Sequence, residues 1–237
     1  MPSDHIVRSF DEELNALHQA VIGMGERSLD QLRAAVAAFA SHDGTRAAQV
    51  VKGDVEVDAM EQELDARAIR VLALRQPMAR DLRQVLSALR IGTEFERISD
   101  FAANIAKRAL AIGAAPPAEL VAEIEVLSGL AGKLLEQVVD AYRSRDASLA
   151  MIVWAQDERL DEAYTLTYHR IVFWMQEEAG RVPAGAHLMF IAKNIERIGD
   201  HATNIAESIH FQVTGSWLSE PRPKGDTTSS ERIAGPA

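Results

Sequence analysis

Residues 90–109 read RIGTEFERISDFAANIAKRA, and residues 190–209 read FIAKNIERIGDHATNIAESI. Nine of the twenty positions are identical, and the shared residues sort onto two faces of a helix. At about 100° per residue, with Ile91 at zero, Phe95, Ile98, Ala102 and Ile105 fall within about 40° on either side. They form an apolar stripe, with Glu96, Asp100 and Asn104 on the far side. The second stretch repeats the pattern, with Ile191, Ile195, Ile198, Ala202 and Ile205 opposite Glu196, Asp200 and Asn204. Each stretch predicts an amphipathic helix whose carboxylates point away from the core. Two copies at this separation predict a duplicated helical unit.

Outward from these stretches the chain reads as six helices. A first helix, capped by Ser3 or Asp4, runs to about Ala40 on Ile6, Phe10, Leu14, Leu17, Val21, Leu29, Leu32 and Val36. Ser41-His-Asp-Gly44 is a turn, and a second helix runs from about Thr45 to Arg75. Pro77 fits the first turn of a third helix that continues to about Ala111. Gly113-Ala-Ala-Pro-Pro117 is the central linker. A fourth helix follows from about Glu119 to Ser144, and a fifth, capped by Asp146, ends near Ala179. Gly180 to Gly185 is expected to be a loop before a sixth helix from about Ala186 to Gly215. The expected architecture is all-α: two tandem three-helix bundles over residues 1–113 and 117–217. A tail over 218–237, rich in Pro, Gly, Ser and charge, is expected to be disordered.

Composition agrees. Of 237 residues 47% are hydrophobic but only 5% aromatic, with Ala and Leu, strong helix formers, leading the apolar set. The net charge of -10 argues against a nucleic-acid binder, which must neutralise phosphates, and against docking on anionic membranes. With no cysteine, disulfides, thiolate zinc sites and cysteine nucleophiles are excluded. Met1 to Val7 lacks a basic segment followed by an apolar run, and no stretch approaches the ~20 apolar residues that span a bilayer. The expectation is a soluble, cytoplasmic protein.

Carboxylates also line the second helix, as Asp54, Asp58, Glu61 and Asp65, roughly 90° from the apolar face of Val50, Val57, Leu64 and Val71. Asp157 and Asp161 repeat this on the fifth helix. If the second and third helices, and the fifth and sixth, are antiparallel neighbours, acidic stripes meet in each half. Like charges one turn apart repel by a few tenths of a kcal/mol, and acidic faces are most often simply solvated. Four stripes at matching places point instead to hard cations, which prefer oxygen ligands. His201 lies ~100° around its helix from Asp200, which suits a packing histidine better than a ligand. Glu207-Ser-Ile-His210 is a lone Glu-x-x-His, whereas di-iron bundles need two. Neither a His-x-x-x-His pair, a phosphate loop nor a nucleophile–base pair is present. Trp154, Trp174 and Trp217 read as packing residues.

Glu196-Arg-Ile-Gly-Asp200-His-Ala-Thr-Asn204 resembles the signature of the PhoU family, accessory regulators of bacterial phosphate uptake. Glu96-Arg-Ile-Ser-Asp100-Phe-Ala-Ala-Asn104 resembles its first copy, and Pro77-Met-Ala-Arg-Asp-Leu-Arg83 the segment before it. The resemblance covers roughly residues 5–215, with Ser99 where the second copy has the more usual Gly199. It implies two similar three-helix bundles and metal, including multinuclear iron clusters, held by Asp54 and Asp58 with Glu96 and Asp100, and by Asp157 and Asp161 with Glu196 and Asp200. Iron is the first expectation, with Mn, Mg, Ca or Zn as alternatives. It also implies a non-enzymatic negative regulator, often a homodimer, that links the ATPase subunit of the phosphate ABC transporter to a sensor histidine kinase. The rivals are a metal-dependent hydrolase or oxidase, and a plain helical scaffold whose acidic faces bind nothing.

Overall fold

A computed structural model describes residues 2–113, 115–219, 225, 226 and 228. Six long helices carry the chain: α1 (Pro2–Ala40), α2 (Gly44–Arg75), α3 (Ala79–Ala111), α4 (Ala118–Ser144), α5 (Ala147–Glu177) and α6 (Val182–Thr214). No strand occurs among the described residues. None of the helices is long and apolar enough to cross a membrane.

Their ends follow from local chemistry. Asp43 caps α2, its side chain accepting from the Arg46 amide at 3.0 Å. Asp146 caps α5 by accepting from the amides of Ser148 and Leu149 at 2.8 and 3.0 Å. These bonds satisfy amides that the first helical turn leaves without partners. Asp146→Ala is expected to cost about 1 kcal/mol of stability, which thermal melting would read as a fall of a few degrees. α4 stops where Arg145 turns left-handed (φ 54°), and α6 stops at Gly215 (φ 81°), the conformation that closes a helix C-terminus.

Two expected boundaries differ. Pro77 lies ahead of α3, because Gln76 turns left-handed (φ 47°) and ends α2 first. The expected loop over 180–185 is a short 3-10 turn, Ala179–Arg181, running into α6 with Pro183 in its first turn. There proline's fixed φ suits the helix and its missing N–H is not needed.

Each half packs as a three-helix unit, and the units lie against each other through corresponding helices, α1 against α4 and α3 against α6. α2 and α5 contact only their own halves. His18 on α1 packs on Tyr142 of α4 with ring centroids 4.6 Å apart. On the α3–α6 seam Phe101 packs on His201 at 5.2 Å, under the Arg197 guanidinium at 4.6 Å. The buried apolar residues form one core that runs through both halves, from Leu17, Met24 and Phe39 through Phe95 and Ile98 to Leu135, Ile191 and Ile198. The two units thus share a core instead of burying two separate ones.

His18 has a consequence for acid stability. The ring is 5% exposed, and burial holds its pKa below the usual 6.5, with Arg145 and Arg143 adding to the effect against a bond to the Arg143 carbonyl. The folded state therefore binds its proton less readily than the unfolded state. That stability is present above pH 6.5 and lost as the pH falls below it. His18→Phe is expected to flatten this part of the stability-versus-pH curve, as read by denaturant unfolding at pH 7.5 and 5.5.

Candidate metal centre

The carboxylates of both motifs lie in seams between paired helices. In the first half, α2 brings Asp54 and Asp58 to Glu96 and Asp100 of α3. All four are half-buried. The Ser99 hydroxyl lies between Gln31 Oε1 and Asp54 Oδ1, donating to the latter at 2.8 Å. Arg97 Nε stands 3.7 Å from Glu96, and its Nη1 3.9 Å from Asp100. Burial pushes the Asp54 pKa up, with repulsion from Asp100 and Asp58 adding to it against the Ser99 bond. Glu96 is also pushed up, first by burial and then by Asp100, Glu61 and Asp58. The five carboxylates thus feel one another across the seam.

In the second half, α5 brings Asp157 and Asp161 to Glu196 and Asp200 of α6. This seam is deeper: Asp157, Asp161 and Glu196 are 0%, 2% and 4% exposed. Burial pushes Glu196 up to about 7, with repulsion from Asp200 and Asp161 adding to it and Lys193 opposing it. Lys193 Nζ donates to Glu196 Oε1 at 2.8 Å, while Glu196 Oε2 is buried with no hydrogen-bond partner among the described residues.

The carboxylates do not point outward as a single-stripe wheel requires. α3 has neighbours on three sides, α1, α2 and α6, and buries Gly92, Ser99 and Ala103 as well as the stripe of Ile91 and Ile98. A helix so surrounded keeps only a narrow exposed strip through Leu86, Arg90, Thr93, Arg97 and Asn104, and Glu96 and Asp100 lie half-buried beside it toward the outer helix of their own half. The correction is largest for Asp157, Asp161 and Glu196.

Several contributors escape the motif. Glu61, one turn beyond Asp58, accepts from Thr93 Oγ1 at 2.8 Å. Its counterpart in the second half is Tyr164, whose ring lies 4.8 Å from Lys193 Nζ. Of the tail, most lies outside the described residues, but Gly225 and Asp226 pack on the second seam. The Gly225 amide donates to Asp161 Oδ2 at 2.9 Å, and Lys193 donates to Asp226 Oδ2 at 3.0 Å. The pairing of Thr93 with Lys193 is visible in the two aligned stretches, whereas nothing in the sequence signals the approach of Gly225. His201 bonds Glu94 on the α3–α6 seam, as a packing histidine.

Gly199 sets the depth of the second seam. A Cβ there would meet Leu160 Cδ2 at 2.3 Å and Asp157 Oδ1 at 2.5 Å. Gly199→Ser, which copies Ser99 of the first half, is therefore expected to destabilise the protein by about 1–3 kcal/mol through overpacking. Chemical denaturation would measure it.

The donor set is all oxygen, as hard cations require. Among the described residues, no group of three or more His, Asp or Glu side chains is gathered tightly enough to hold a metal ion as it stands.

Comparison with known proteins agrees with this duplication. The PhoU domain profile matches residues 21–109 and again 124–209. The chain is 43% identical over 228 residues to the phosphate-specific transport system accessory protein PhoU homolog of Caulobacter vibrioides, covering 96% of this chain and 99% of that one. It is 42% identical over 229 residues to the counterpart from Xylella fastidiosa strain Temecula1, covering 97% and 95%. The crystal structure of PhoU from Pseudomonas aeruginosa superimposes with a TM-score of 0.83 at 31% identity, over 87% of this chain and all of that one. A six-helix chain with two copies of the domain and near-complete coverage of such relatives belongs to the PhoU family.

Proposed function

We propose that this protein is a negative regulator of phosphate uptake and phosphate-starvation signalling. It acts without turnover, linking the ATPase subunit of a phosphate ABC transporter to a sensor histidine kinase in the cytoplasm, as a homodimer. The observation that carries the reading is the near full-length identity to accessory proteins of phosphate-specific transport. A net charge of -10 supports docking on basic partner surfaces, steered by charge.

Metal belongs to the same reading. Asp54, Asp58, Glu96 and Asp100, joined by Glu61, would hold it in the first half, and Asp157, Asp161, Glu196 and Asp200 in the second. The raised pKa values of Asp54, Glu96 and Glu196 support it, because a cation would offset the burial that mainly raises them and the mutual repulsion that adds to it. So does the buried, unbonded Glu196 Oε2. Iron is the favoured ion, and Mn, Mg, Ca or Zn fit carboxylate oxygen too. When bound, the metal supplies positive charge that draws the carboxylates of two helices together.

The partner reading is tested by titrating the purified protein with the transporter ATPase subunit and with the cytoplasmic portion of the kinase in a calorimeter. Binding to at least one is expected, weakening as salt rises from 50 to 500 mM because exposed charges are screened (Debye length ~10 Å at 0.1 M). No binding to either at low salt would contradict it.

A further inference from the structure

In a chain of net charge -10, arginines readily find carboxylates. Arg27, Arg33, Arg75, Arg143 and Arg170 each pair with a glutamate. Arg80 and Arg145 do not: neither guanidinium has a hydrogen bond or ion pair among the described residues. Both line one pocket, together with Gln84 of α3 and Gln212 and Val213 of α6. Arg80 comes from the first turn of α3 and Arg145 from the turn between α4 and α5, so the pocket lies where the two halves meet. A third guanidinium stands at the end of α6, since a Cβ at Gly215 would meet Arg83 Cζ at 3.3 Å. Asp81 lies ~100° around α3 from Arg80, and Asp146 is committed to capping α5. Among the described residues no carboxylate lines the pocket.

The two glutamines are buried, each 6% exposed. Gln84 Nε2 donates to the Leu14 carbonyl at 3.4 Å, which leaves Oε1 as its unbonded edge. Gln212 makes no side-chain hydrogen bond among the described residues, and its Oε1 is shut away from solvent. Its Nε2 is then the edge able to meet a ligand. An unbonded buried amide costs about 1–3 kcal/mol, and such a group calls for a partner that completes it. Arg145 carries a further cost. It holds a left-handed conformation, φ 54° and ψ 42°, about 1–2 kcal/mol dearer for a residue with a Cβ, where α6 ends on Gly215. Size limits the ligand. The cavity measures about 70 Å³, and one water takes ~10–15 Å³ on this measure, so there is room for roughly five heavy atoms.

We propose that this pocket binds inorganic phosphate as the hydrogen-phosphate ion, a tetrahedral group of the size the cavity admits. Arg80, Arg145 and Gln212 Nε2 supply donors for its three bare oxygens, and Gln84 Oε1 accepts from its hydroxyl. Guanidinium groups match such oxygens in charge and in the spacing of their donors. The acceptor provides the selectivity. Sulfate has the same shape but carries no proton near neutral pH, so it sets a bare oxygen against Gln84 Oε1. Sites that bond a hydroxyl reject analogues lacking it, because a buried polar group is left unpaired. Phosphomonoesters lose their last proton near pH ~6 and leave the same gap, which favours the free ion over a nucleotide or a lipid headgroup. The bound ion would tie α3 to α6 and to the α4–α5 turn, across the boundary between the halves. The assignment rests on the chemistry of the pocket and not on the regulatory reading, and either can fail without the other.

The test is calorimetric titration of the full chain with sodium phosphate at pH 7.5, with sodium sulfate and glycerol phosphate as comparison ligands at matched ionic strength. One phosphate per chain is expected, with sulfate and glycerol phosphate about tenfold weaker or more. Arg80→Gln should weaken phosphate by about tenfold or more. Arg145→Gly separates the site from the fold. Glycine suits the left-handed turn, so this variant should melt at or above wild type and yet bind phosphate about tenfold more weakly or worse. Gln84→Met keeps the size of the side chain and removes the acceptor, and should bring phosphate and sulfate within about twofold of each other. Helical circular dichroism checks that each variant is folded. No phosphate binding by wild type at millimolar concentration would overturn the proposal. So would sulfate or glycerol phosphate binding as tightly as phosphate, or an Arg145→Gly titration that overlays wild type.

Discussion

A strain lacking the gene is expected to express phosphate-starvation genes at the level of a starved wild-type strain while phosphate is plentiful. The regulator proposed here acts by contacting one state of its partners more favourably than another, so its removal releases an equilibrium instead of stopping a reaction. A phosphate-starvation reporter measured at high phosphate checks it, with the wild-type gene on a plasmid restoring repression. Normal repression in the deletion strain, together with metal-dependent turnover by the pure protein, would favour a hydrolase or oxidase. Normal repression without turnover would leave a helical scaffold.

Phe95→Ala is expected to destabilise the protein by about 3–5 kcal/mol, the range for deleting a buried aromatic ring. Phe95 sits inside the first motif, one residue before Glu96, and is completely buried. Its ring approaches α1 where Gly25 has no side chain: a Cβ at Gly25 would meet Phe95 Cζ at 2.7 Å and Val139 Cγ2 of α4 at 2.6 Å. The Ser28 hydroxyl donates to the Phe95 carbonyl at 3.0 Å. One ring thus fills the place where α1, α3 and α4 meet, and its loss leaves a cavity between the halves that rigid helices cannot collapse to fill. Melting should fall by roughly 10 °C, at about 2–4 °C per kcal/mol for a chain of this size. A fall of only a few degrees would mean that the halves are stabilised independently.

The sequence made the fold legible because each helix announces itself twice, by periodicity and by its ends. Asp146 reads as a cap and acts as one, and Asp43, read as part of a turn, caps α2 as well. The repeat of Glu96-Arg-Ile-x-Asp100 in Glu196-Arg-Ile-x-Asp200 revealed the two units and their matching seams. What the sequence hid was depth. A helical wheel assigns one inside and one outside, but α3 and α6 each touch three other long helices, so the second acidic stripe became a buried seam. Ser99 stands where the second copy has the more usual Gly199, and in the structure that glycine makes room for Asp157. Lys193 carries no signal in the sequence because Tyr164 and Asp226, which it meets in the fold, are distant along the chain. The approach of Gly225 to Asp161 lies in a stretch whose composition suggests no structure at all.

The proposal that the duplicated motif builds cation sites from carboxylates alone is tested most directly by elemental analysis of protein purified without chelator. Wild type should carry metal. The variant with Glu96, Asp100, Glu196 and Asp200 all replaced by Ala should carry none and should keep its helical circular dichroism, because losing clustered negative charge relieves repulsion and exposes no core. Metal retained at the wild-type level by the quadruple variant, or a wild-type protein that carries none even after incubation with ferrous, manganous and zinc salts, would contradict it.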